Sequence, residues 1–93
     1  MKPDLTLVGQ LLPLRREIVF GWYRPATQAN GLKQGTYFHI GCSSAGLLGA
    51  FAYNVINQAI DSKDEIHIWF PESKLAAQEL KRTLRKLYGQ QQN

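Results

Sequence analysis

The chain has 93 residues, 44% of them hydrophobic, and 11 Lys and Arg against 7 Asp and Glu give a formal net charge of +4. That length fits one domain spanning 1–93 and excludes a second core, and the apolar content excludes a disordered chain. No apolar run approaches the ~20 residues that cross a bilayer, so no membrane partner is expected. The one cysteine, Cys42, cannot form an internal disulfide, and Met1-Lys2-Pro3-Asp4 lacks the apolar run of a secretory signal, so a cytoplasmic location is expected.

Leu5 to Leu11 is a short apolar stretch closed by Pro13, expected as an edge strand or extended arm because proline is tolerated at sheet edges and not inside them. Glu17 to Tyr23 reads as a strand by its β-branched and aromatic content and ends at Pro25. Pro25 through Gly35 is a loop, with Asn30-Gly31 supporting positive φ, and Thr36 to Gly41 is the second strand of that hairpin. A helix is expected from Ser43 or Ser44, as N-cap, to about Ile60. Its apolar stripe holds Leu47, Leu48, Phe51, Ala52, Val55, Ile56, Ala59 and Ile60. Asp61 to Asp64 is a turn, and Glu65 to Phe70 alternates as a strand until Pro71 stops it. A last helix from about Ser73 to Tyr88 presents Ala76, Leu80, Leu84 and Leu87 inward, with Gly89 as C-cap.

The order is (β)ββαβα. It predicts an α+β fold, a small antiparallel sheet of three to four strands with two helices packed on one face. Ile18, Phe20, Trp22, Phe38, Ile40, Ile66, Ile68 and Phe70 then point at the helices, and Tyr23, Tyr37, His39, His67 and Trp69 share the other face. Rings displayed there can stack on unpaired bases while flanking Arg and Lys hold phosphates. The alternative is that the N-terminal arm or a second subunit covers them. A chain this small removes only about 60 to 65% of its unfolded surface from water, which makes a homodimer an expectation.

Other residues carry weaker signals. Gly41 to Gly46 is a strand-to-helix turn that can hold an anion or simply cap the helix through serine, and it lacks the lysine of a phosphate-binding loop. Cys42 is either a small core residue or a thiol activated by a helix N-terminus. His39 and His67 have no Cys or carboxylate at zinc-ligand spacing. Lys81, Arg82, Arg85 and Lys86 form a basic stripe that suits a phosphate backbone or a solvated helix end. Glu79 suits a divalent ion or a pair with Arg82 one turn on.

Gly21-Trp22-Tyr23, then His39-Ile40-Gly41 followed by Cys42-Ser43, resemble the two motifs of the GIY-YIG nuclease superfamily. The strand Glu65 to Phe70, the helix with Ala76, Ala77 and Glu79, and Asn93 are similar to the later part of that domain, so the resemblance runs from about Glu17 onward. It implies Tyr23 at the first-motif tyrosine, His39 in place of the second, and Glu79 as ligand of one divalent metal, Mg or Mn. Histidine can act as the base near neutral pH. The family also has an arginine on the helix after the second motif. Here Leu47, Leu48 and Gly49 stand there, and no Arg or Lys occurs between Lys33 and Lys63. Loss of such a cation removes roughly 2.7 to 4 kcal/mol of transition-state stabilisation.

The expectation is a nucleic-acid-binding domain, a divergent or catalytically silent GIY-YIG-like endonuclease. Tyr23, His39 and Glu79 are its candidate catalytic residues, and Arg24, Tyr37, Lys81, Arg82, Arg85 and Lys86 are its candidate nucleic-acid contacts. The alternative is a small interaction module that dimerises or docks a protein through the aromatic sheet face.

Overall fold

Four strands form one antiparallel sheet in the computed structural model, which describes residues 1–10, 14–47 and 53–88. They are β1 (Leu5–Val8), β2 (Ile18–Arg24), β3 (Thr36–Ser43) and β4 (Glu65–Trp69). The helices are α1 (Tyr53–Ala59), between β3 and β4, and α2 (Lys74–Tyr88), after β4. Strand order across the sheet is β1-β4-β2-β3, so β1 and β3 are the edges. The α+β class agrees with the sequence reading, β2, β3 and β4 agree to within two residues, and β1 ends at Val8, short of the stretch expected to reach Leu11. Expectations for Leu11, Pro13, Leu48, Phe51 and Ala52, and for Gly89 onward, lie outside the described residues.

The helices, however, do not share a face. Ile18, Phe20 and Trp22 of β2 and Ile66 and Ile68 of β4 pack with Leu7, Leu47 and Ile56, which puts α1 on that side. Val19, Tyr37, Ile40 and Trp69 pack with Ala77 and Leu84, which puts α2 on the opposite side. The reason is legible in β2: Ile18-Val19-Phe20-Gly21-Trp22 is apolar on both faces, and a sheet apolar on both faces must be covered on both.

A bulge in β3 sets the side-chain directions. Trp22 pairs with His39 but Tyr23 pairs with Tyr37, so Phe38 is an extra residue with no partner of its own. Phe38 and His39 consequently both turn to the α1 side, where Phe38 meets Trp22 (5.2 Å between ring centroids) and His39 meets Phe20 (5.6 Å). Tyr37 and Ile40 turn to the α2 side. The expected grouping of His39 with Tyr37 and His67, and of Ile40 with Phe38, is therefore corrected by one inserted residue.

Two glycines permit close approach. A Cβ on Gly21 would lie 2.6 Å from Tyr37 Cε1, so glycine lets that ring lie flat on the sheet. Gly46 has φ +75° and sits against the Leu14 carbonyl, which accepts the Leu47 N–H at 3.1 Å.

Helix boundaries differ more than strands. Ser43 ends β3 and 44–47 form a turn, so the helix does not start at Ser43 or Ser44; α1 is described over Tyr53–Ala59. Among the α1 side chains described, from Val55 to Ala59, Ile56 is the buried one; Val55, expected inward, is 61% exposed. In α2 the inward residues are Ala77, Leu80, Leu84 and Tyr88, whereas Leu87, also expected inward, is 60% exposed.

Candidate functional site

Ser73 caps α2 just before its first residue, its Oγ accepting the Ala76 N–H at 3.1 Å. Its following residues are mostly good helix formers. Burial of Ala77, Leu80, Leu84 and Tyr88 against the sheet leaves the basic residues on the flank and outer surface. Gln78, Lys81, Arg82 and Arg85 line a surface cleft of about 260 Å³, and Lys74 and Lys86 are exposed on the same helix. Arg85 is anchored: Nε and Nη2 donate to the Ile40 carbonyl of edge strand β3 at 3.1 and 2.8 Å. The guanidinium has five donors, so three remain for a ligand.

Under α2 lies a hydrogen-bonded chain that connects three titratable groups. Tyr37 Oη is 2.5 Å from His67 Nδ1, and His67 Nε2 is 2.7 Å from Glu65 Oε1. One arrangement satisfies all three: the phenol donates to Nδ1, and Nε2–H donates to the carboxylate. Glu65 and His67 are two apart on β4, so the pleat points them the same way. Tyr23 stacks on His67 at 4.8 Å, and Tyr88 meets Tyr37 at 4.9 Å. Burial, then the neighbouring Tyr88, Tyr23 and Glu65, pushes the Tyr37 phenol well above its ordinary value, so it stays protonated and acts as a donor.

The second polar cluster lies toward α1. Asp64 is fully buried, and its carboxylate accepts from Trp22 Nε1 (2.9 Å), Arg24 Nε (2.7 Å), Arg24 Nη2 (2.8 Å) and the Asp61 N–H (2.8 Å). Burial alone would raise its pKa. The bonds from Arg24, Asp61 and Trp22 outweigh that and hold the carboxyl below the usual carboxylate range. The Arg24 guanidinium also lies 4.7 Å over the Phe38 ring.

These positions revise the candidate residues. Arg24, expected on nucleic acid, is committed to Asp64. Tyr37, expected to stack on a base from an open sheet, is 5% exposed beneath α2 with its hydroxyl given to His67. Trp69 is equally buried and donates from Nε1 to the Lys2 carbonyl at 3.0 Å. The aromatic face expected to dock a partner or a second subunit is thus covered by α2 and the N-terminal segment of the same chain.

The implied catalytic trio is not assembled. Tyr23 lies on the α2 side and His39 on the α1 side of the sheet. Burial, then Arg85 and Lys81, lowers the His39 pKa. Glu79 is exposed, two residues from the buried Ala77 and so on the helix surface turned away from the sheet. Among the described residues no group of three or more His, Cys, Asp and Glu converges as a metal site. One outward carboxylate does not fit a metal acting beside Tyr23 and His39. Lys81, Arg82 and Arg85 do come together, and Lys86 stands exposed on the next turn.

Sequence reasoning missed Asp64 and Glu65 as partners. The period-two spacing of Glu65 and His67 signalled the second; nothing local signals Asp64, whose bond to Trp22 spans 42 residues. No helix among the described residues is long and apolar enough to cross a membrane. No protein-family model, curated protein or solved structure matches the chain. The likeness to GIY-YIG nucleases accordingly stands on the residues quoted for it alone.

Proposed function

We propose that this chain is a cytoplasmic nucleic-acid-binding domain that holds the phosphate backbone on the basic flank of α2 and does not cut it, as a catalytically silent GIY-YIG-like protein would behave. The observation that carries this reading is the convergence of Lys81, Arg82 and Arg85 on one cleft, with Arg85 pre-positioned by two bonds to β3. From Lys74 to Lys86 the helix has five basic residues and one acidic residue. Cations held on a rigid helix neutralise phosphates and release counterions, which gives affinity without sequence preference. Separation of Tyr23, His39 and Glu79 argues for binding without strand cleavage, as does the absence of Arg and Lys between Lys33 and Lys63.

The test is binding of short DNA and RNA over a salt series. Affinity should fall steeply with salt, and Arg82→Ala should weaken all sequences alike and reduce the salt slope by about 1. Magnesium or manganese should produce no cleavage. Salt-independent affinity, or unchanged binding in Arg82→Ala, would remove the basic flank from consideration; cleavage lost in Glu79→Ala would make the protein an active nuclease.

A further inference from the structure

A second cleft, of about 510 Å³, opens between the ends of β2 and β3 and the last turn of α2. Its volume falls in the range of about 300 to 1,000 Å³ typical of small-ligand sites. Tyr23, Gln34, Gly35, Thr36, Tyr37, Leu87 and Tyr88 line it, none of them charged. Tyr23 and Tyr37 are 4.9 Å apart between ring centroids, and Tyr37 and Tyr88 are also 4.9 Å apart. The chain around Gly35 comes so close that a Cβ there would collide with the Tyr23 hydroxyl, so the loop backbone forms a wall against that ring. Gln34 is exposed at the rim, and its amide carries both donors and an acceptor.

The position of this cleft along α2 decides what it suits. Tyr88 follows Arg85 by three residues, one helical turn, and Leu87 directly follows Lys86, so the aromatic cleft continues the basic flank. Aromatic walls, an amide at the rim and cations one turn away match a planar heteroaromatic ring attached to a phosphate chain. A base within a duplex is already stacked and paired, and only an unpaired base can enter. We propose that this cleft takes one unpaired base of a single-stranded nucleic acid whose phosphates lie on the basic flank of α2. The assignment rests on the nucleic-acid reading above and adds to it a preference for single strands, the site of stacking, and Gln34 as the group that meets the base edge.

The experiment compares a labelled short single strand with its duplex at one fixed salt concentration, using the full chain. The single strand should bind more tightly. Tyr88→Leu, which keeps an apolar contact for Tyr37, should cut the single-strand to duplex affinity ratio roughly tenfold while duplex affinity holds. Gln34→Ala, at an exposed position that leaves folding intact, should cut the ratio roughly threefold. A wild-type ratio near one, or a ratio unchanged in both variants, overturns the cleft assignment and leaves the basic flank standing. Absence of salt-dependent binding to either form overturns the nucleic-acid reading and the cleft with it.

Discussion

The two faces of the sheet each carry an apolar cluster and treat their polar groups in opposite ways. On the α1 side, one fully buried carboxylate, Asp64, draws Trp22, Arg24 and the Asp61 N–H into a closed set with every bond supplied from within. On the α2 side, Glu65, His67 and Tyr37 form a chain that begins at a partly exposed carboxylate and ends at a phenol lining an open cleft. The first arrangement fixes where the hairpin, the turn before β4 and the strand order meet. The second leaves polar groups and rings next to solvent and to the basic helix. If the basic flank of α2 and its cleft hold the ligand as proposed, stability and ligand contact fall to different faces, and damage to one should spare the other.

The sharpest way to break that contrast is Asp64→Asn. Removing the charge of one partner of a buried ion pair strands the other, and the amide NH2 then faces a donor that a carboxylate oxygen had accepted from. The expected loss is about 3 kcal/mol, the low end for buried pairs because Arg24 reaches water. Acid should do the same reversibly. Asp64 has a folded pKa below its unfolded value of about 3.9, so its contribution is complete above that range and is lost as pH falls through the folded pKa. His39 adds an earlier limb. The unfolded chain takes a proton on this residue near pH 6.5 and the folded chain resists it, so stability begins to fall below about pH 6.5. Urea unfolding from pH 8 to 3 should show both limbs, with His39→Leu losing only the upper one and Asp64→Asn only the lower. Nucleic-acid affinity of folded Asp64→Asn should match the wild type; a loss there would join the two faces functionally.

A smaller effect is expected from Tyr37→Phe on the other side. It leaves the half-buried Nδ1 of His67 without its donor, at a cost of about 1 to 3 kcal/mol, and preserves the ring contacts with Tyr23 and Tyr88. Because the cleft keeps its aromatic wall, single-strand preference should persist. Loss of that preference without loss of stability would make the Tyr37 hydroxyl a ligand contact and overturn its description as a donor committed to His67.

What the sequence revealed of these faces followed the range of the signal. Period-two alternation in Glu65 to Phe70 and the β-branched and aromatic run from Ile18 were local, and they gave β4, β2 and the hairpin. The two-sided apolar content of β2 was also present, in Val19 between Ile18 and Phe20, and it pointed to helices on both faces. The bulge at Phe38 had no such marker, since Tyr37-Phe38-His39-Ile40 reads equally well as a regular strand. That single residue separates His39 from Tyr37 and His67, which strand alternation had grouped, and from Tyr23, which the nuclease resemblance had set beside it. The Asp64 set joins residues brought together only by strand order. The basic residues of α2 were legible because they sit on one helix, whereas the cleft beside them joins a loop, two strands and a helix end.

Of the side chains that helical periodicity misplaced, Val55 offers the mildest test. Val55 and Ile56 both belong to the apolar stripe expected of a helix running to Ile60, but Ile56 is 1% exposed and Val55 is 61% exposed. A helix of seven described residues lying on one side of a sheet buries a narrow line, and neighbouring residues differ by 100° around the axis. Val55→Gln should therefore change stability by no more than about 0.5 kcal/mol, with the better helix propensity of glutamine offsetting the small loss of apolar contact. Denaturant midpoints at unchanged slope measure it directly. A loss above about 2 kcal/mol, the scale of a buried aliphatic truncation, would show that Val55 is covered in solution, and if that loss lessened at higher protein concentration the cover would be a second copy of the chain on the α1 side.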